Sequence, residues 1–140
     1  MSDRRHICFA SCWGLVAWML CLVAAAPAHA QGRSFPYDQE LHLDVDLVRG
    51  AQRVPGLQIS PRGHVEIDLW CVSGTGRAVI ADNSITIVPT GMRDNQCSQD
   101  RLLRDKELLD QITQVTSWRW EGQMLLLVGP QSLRYRPASN

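Results

Sequence analysis

The five cysteines of this 140-residue chain are so unevenly placed that their positions constrain most of what it can become. Cys8, Cys12 and Cys21 crowd the amino terminus, and only Cys71 and Cys97 lie beyond it. The first thirty residues account for the division. Arg4 and Arg5 open a stretch in which Trp13 to Ala26 carries no charge, and Pro27 leads to Ala28-His29-Ala30, small side chains where a signal peptidase reads. A membrane-spanning helix needs about twenty apolar residues, and this run is shorter. Residues 1–30 are therefore expected to be a cleavable signal peptide, leaving a chain that starts at Gln31. That chain is expected to be periplasmic, exported through the inner membrane, with no stable membrane insertion after cleavage.

Cleavage turns an odd count of cysteines into one pair, and in an oxidising compartment two cysteines far apart in sequence form a disulfide. A Cys71–Cys97 tie closes 26 positions, for which chain entropy gives ~3.5 kcal/mol of stabilisation. Neither residue belongs to a Cys-x-x-Cys pair or stands beside a histidine, so neither reads as a catalytic thiol.

A hydrophobic fraction of 45% with 20% charged residues fits one globular domain. Cleavage takes Arg4, Arg5 and Asp3 from fourteen basic and fourteen acidic residues, leaving one net negative charge and no electrostatic case for nucleic acid.

Residues 31–40, with Gly32 and Pro36 and no periodicity, read as a flexible lead-in, and residues 41–137 as a single domain. Alternation of apolar and polar side chains predicts strands from Leu41 to Leu47, over Leu57 to Ile59 and from His64 to Trp70. Ser60-Pro61-Arg62-Gly63 has tight-turn chemistry and joins the second of these to the third. Ser73-Gly74-Thr75-Gly76 looks too glycine-rich to continue a strand. Two short runs, Arg77 to Ala81 and Ser84 to Val88, flank the turn pair Asp82-Asn83, and Pro89 to Gln96 reads as a polar loop.

One helix is expected, over about residues 98–115, with Ser98 as its N-cap and a stripe of Leu102, Leu108, Leu109, Ile112 and Val115 facing the core. Thr116 to Glu121 alternates again, placing Trp118 and Trp120 on one face, where at least one is expected against the helix. Met124 to Val128, almost wholly apolar, predicts a strand buried on both sides, and Leu133 to Arg136 the last strand. The fold class is α+β: a small, mainly antiparallel, curled β-sheet packed around one α-helix.

Two strand faces carry the side chains of most chemical interest. His42-x-Asp44-x-Asp46 and His64-x-Glu66-x-Asp68 each present one imidazole and two carboxylates, donors that can hold a divalent cation. Solvated strand faces have the same composition, and that is the reading taken, with the six residues kept as candidates for a weak metal site. No nucleophile elbow accompanies any serine, and thirteen scattered acids single out no catalytic pair, so no catalytic residue, cofactor or enzyme activity is expected.

From Cys71 onward the order of features resembles the META domain family, also called HslJ-like. The shared features are Trp70-Cys71 before a glycine-bearing turn, Ile85 to Val88, Thr90 before Cys97, Leu108-Leu109 in a helix, Thr116 to Trp120, and the closing Leu125-Leu126-Leu127 and Leu133-Arg134-Tyr135. Val72-Ser73 stands where the family commonly has Asn-Arg, so any role of that pair does not carry over. The resemblance implies a compact antiparallel sheet curled about one helix in a small exported bacterial domain, without established catalytic residues and linked by analogy to envelope stress. The expected function is a non-catalytic, monomeric binding or envelope-maintenance module whose partner is an envelope protein or small ligand. The alternative is a secreted inhibitor that inserts the Pro89 to Gln96 loop into a hydrolase.

Overall fold

The computed structural model describes residues 32–46, 53–94 and 96–138, within one compact unit, Gln31–Asn140. The expected signal peptide and Leu47 lie outside the described residues. Among the described residues eight strands are formed: β1 (Glu40–Leu43), β2 (Gly56–Ile59), β3 (His64–Asp68), β4 (Ser73–Ala81), β5 (Ser84–Arg93), β6 (Ser117–Glu121), β7 (Met124–Val128) and β8 (Leu133–Pro137). Helix α1 (Gln99–Thr113) lies between β5 and β6 in the chain. Each strand pairs antiparallel with the next, and β8 returns to β1 through Leu41↔Pro137 and Leu43↔Tyr135. The sheet thereby closes into a barrel.

The period of two drives this closure. In β3, Val65 and Ile67 are fully buried while His64 and Glu66 face water, so the strand has one side that must be covered. Leu41, Ile59, Ile85, Leu125 and Tyr135 supply the same inner layer from other strands. At about 1.5–3 kcal/mol for each fully buried large aliphatic side chain, this layer is the main driving force for folding. Among the described residues the curled antiparallel sheet and the single helix expected from the sequence are both present, but the sheet curls on itself. Among described helix residues only Asp105, Leu108 and Ile112 are buried; α1 packs against β5, and Leu108 and Ile112 join the same core as the inward side chains of the strands.

The predicted breaks around the first cysteine need correction. β4 begins at Ser73 and runs through both glycines, and β5 runs on to Arg93, so the expected Pro89 to Gln96 loop is mostly strand. A register shift at Thr75/Gly76 bends the hairpin and brings β5 close. A Cβ on Gly76 would stand 2.7 Å from the Val88 carbonyl oxygen, and one on Gly74 would strike that of Gly91. Glycine is therefore the residue that lets the strand continue here.

Pro89 fits because β6 meets β5 only at Ser84↔Ser117. The Ile85 N–H donates across that seam to the Thr116 oxygen at 3.1 Å. By alternation the Pro89 nitrogen faces the same edge, where β6 does not reach and no ladder bond is lost.

The lead-in lacks regular structure yet belongs to the core. Phe35 is 5% exposed and meets Trp118 edge-on, with ring centroids 5.2 Å apart. The aromatic partner of Trp118 is thus Phe35. In β7, Leu125, Leu126 and Leu127 are all buried, as the apolar run predicts. Leu126 faces outward between Arg119 and Arg134 in register. Both guanidinium groups approach Glu121, at 3.7 and 3.8 Å, which holds their aliphatic stems across the leucine.

Candidate functional site at the barrel mouth

The turn from β3 to β4 carries Trp70 and Cys71, and it is fastened twice, to α1 and to the segment that leads into it. The Leu69 N–H donates to the Val72 oxygen at 2.8 Å, closing the turn, and this points the next three amide groups at the helix. Asp105, 1% exposed, accepts all three. Trp70 N–H donates to Oδ1 at 3.0 Å, and Cys71 and Val72 N–H to Oδ2 at 2.9 and 2.6 Å. A buried carboxylate is tolerable only when its lone pairs are filled in this way. The second fastening is the Cys71–Cys97 disulfide, whose Cα atoms lie 6.0 Å apart.

Asp105 is the residue that reading the sequence missed. Its signal was present: positions 105, 108, 112 and 115 form one i, i+3, i+7, i+10 stripe, and all four are buried. An acid within an apolar stripe marks a buried polar contact, whereas Leu102 and Leu109, assigned to the stripe, are only half-buried.

Under α1, where β1 ends and β8 begins, a cleft of about 360 Å³ opens, with Leu43, Leu108, Leu133 and Trp70 giving it an apolar lining. Arg104 and Glu107 from α1, with Asp44 and Arg134, bring charge to its wall. The Trp70 indole Nε1 is buried and has no hydrogen-bond partner. The domain's other two indoles are satisfied: Trp118 Nε1 donates to the Asp82 oxygen at 3.0 Å, and Trp120 Nε1 to the Ser34 oxygen at 3.1 Å.

A larger open groove of about 1060 Å³ lies by the lead-in. The domain's own groups already engage one another there, Arg33 standing 4.7 Å over the Trp120 ring. The mouth cleft, with its apolar lining, is the better candidate site.

Of the two His/acid faces, His42, Asp44 and Asp68 line one open groove together with Arg53 and Arg136, but not at ligand distance. β2 separates β1 from β3, so His42 is aligned with Asp68 only across the intervening Gly56. Arginines answer two of the acids: Arg136 donates to Asp44 at 2.9 Å and Arg53 to Asp68 at 3.2 Å. His42 stands 3.8 Å from Glu40. Asp46 follows the end of β1, and His64 and Glu66 are exposed on β3. Among the described residues no group of three His, Cys, Asp or Glu side chains is placed to hold a metal ion. Burial pushes the Tyr135 phenol well above its ordinary range.

Among the described residues, a closed, antiparallel eight-stranded barrel with one helix and a disulfide joining the β3–β4 turn to the segment before α1 defines the structural class. The chain belongs to the META domain family, whose match covers residues 31–138. A protein solved by NMR is similar in fold, at 14% identity and a TM-score of 0.52, over 71% of this chain and 88% of its own. A DUF4847 family protein from Bacteroides vulgatus ATCC 8482, known from a crystal structure, is 10% identical with a TM-score of 0.49, over 71% and 92%. No curated protein matches the chain.

Proposed function

We propose that this protein is an exported, non-catalytic binding module of the bacterial envelope, and that it engages its partner through the cleft at the barrel mouth. The observation that carries this reading is an apolar concavity lined by Leu43, Leu108, Leu133 and Trp70, beside a turn held by both Asp105 and the disulfide. Binding sites favour such mouths, where a few fixed polar groups stand among apolar walls. The double fastening supports a role in recognition, because a wall that does not move costs less entropy when a partner seats on it. The disulfide supports the periplasm as the working compartment. Envelope maintenance under stress is the process the reading favours.

The experiment is a comparison of wild type and Trp70→Phe in pull-downs from envelope extract, beside a panel of ester, glycoside, peptide and phosphate substrates. An envelope protein or small ligand retained by wild type and lost by the variant supports the reading. Turnover on the panel, or stoichiometric capture and inhibition of one hydrolase, overturns it.

A further inference from the structure

We infer that the open groove beside the lead-in is a second binding site, taking a singly charged carboxylate on a ring-shaped body, an aromatic or sugar acid, through the Arg33 guanidinium. This groove shares no lining residue with the mouth cleft and does not depend on that cleft's role. The first observation is the sign of its charge. Among the described residues that line it are two arginines, Arg33 and Arg136, and no carboxylate. The mouth cleft carries Asp44 and Glu107 beside its arginines, and the groove across β1 and β2 carries Glu40, Asp44 and Asp68. A concavity lined by one sign of charge concentrates ligands of the other.

The second observation is how much of that charge is already answered. Arg136 Nη2 donates to Asp44 at 2.9 Å. Arg33 has no carboxylate at ion-pair distance among the described residues, and its guanidinium carbon stands 4.7 Å over the Trp120 ring. A ring face attracts the cation without supplying the oxygen acceptors that its fork of N–H groups matches. A carboxylate supplies them, accepting two parallel hydrogen bonds from the fork. One unanswered positive charge calls for one negative charge, and a second on the ligand would find no partner here.

The third is the wall beside Arg33. Tyr37 is 36% exposed and rests on Phe35, with ring centroids 5.1 Å apart. An exposed aromatic face packs against the face of a second ring, and the exposed amides of Gln39 and Gln123 in the same groove meet polar substituents on it. The wall is also held in place. Trp120 Nε1–H donates to the Ser34 oxygen at 3.1 Å, and the Asp38 N–H to the Ile59 oxygen of β2 at 2.9 Å. The segment that carries Arg33 and Tyr37 is thus set before a ligand arrives, which lowers the entropy cost of binding. At about 1060 Å³ the groove has room for a substituted ring.

The test is an ¹⁵N–¹H titration of the exported protein with sodium benzoate and with sodium glucuronate in separate arms, and with benzamide as the uncharged match to benzoate. The indole resonances are assigned by single Trp→Phe substitutions. The proposal expects a saturable, millimolar-range shift of the Trp120 indole proton with at least one of the two acids, the tighter of the two identifying the ring, and no saturable shift with benzamide. It also expects about tenfold weaker binding of that acid to Arg33→Gln. In that variant an unchanged Trp118 indole signal, from a buried ring bonded to the Asp82 oxygen, certifies the fold. Benzamide binding as tightly as benzoate, unchanged affinity in Arg33→Gln, or no Trp120 response to either acid overturns the assignment. A response of the Trp70 indole alone places the acid in the mouth cleft and overturns it too, while leaving that cleft as a site.

Discussion

Replacing Asp105 by alanine removes one side chain and strands three backbone donors. The Trp70, Cys71 and Val72 N–H groups lie 2.6–3.0 Å from the carboxylate in a site that is 1% exposed. A hydrogen bond to a charged acceptor contributes about 1.5–3 kcal/mol, and a buried donor left open costs about 1–3 kcal/mol. Water entering the vacated space recovers part of this, so Asp105→Ala should cost about 3–5 kcal/mol. Asp105→Asn is the informative control. Its amide oxygen can keep the two donors now on Oδ2, while its NH₂ group opposes the Trp70 N–H, so about half the loss is expected.

Urea denaturation followed by circular dichroism, with the disulfide intact, measures both variants. An unchanged m-value shows that the loss is one of stability and not of denatured-state compactness. Equal stabilities for wild type and Asp105→Ala, or a larger loss for Asn than for Ala, would refute the argument that the carboxylate holds the turn.

Other expectations follow from the same geometry. Reduction of Cys71–Cys97 should lower stability by ~3.5 kcal/mol and leave the barrel folded, as read by far-ultraviolet circular dichroism, because Asp105 still ties the same turn; loss of the sheet signal on reduction alone would contradict this. Gly76→Ala should destabilise by about 1–3 kcal/mol, since its Cβ would stand 2.7 Å from the Val88 oxygen, and thermal unfolding checks it. Tyr135 keeps its proton in the fold beyond the pH at which the unfolded chain releases it. The linked stability is therefore fully present below about pH 10 and falls by about 1.4 kcal/mol per unit above it. Alkaline urea melts of wild type and Tyr135→Phe test this, the variant being the one with the shallower decline.

The strands were largely legible because alternation is a local property. Val65 and Ile67, or Leu133 and Tyr135, announce their inward face without reference to the rest of the chain. Barrel closure was not legible, since it depends on β8 meeting β1, a pairing of distant segments that no local pattern encodes. Gly74 and Gly76 misled for a related reason. Their local preference is for a turn, and only the approach of β5 at the bulge makes a side chain there impossible. At the site, Cys71 and Cys97 were recognised from their number and expected compartment. Asp105 was hidden by its company, an acid among leucines whose three partners lie 33–35 positions earlier.

The most direct test of the account is non-reducing peptide mapping by mass spectrometry of the protein recovered from the periplasmic fraction. The account predicts a chain beginning at Gln31 and a crosslinked pair of peptides containing Cys71 and Cys97. Free thiols at both positions, or a retained leader, would contradict it.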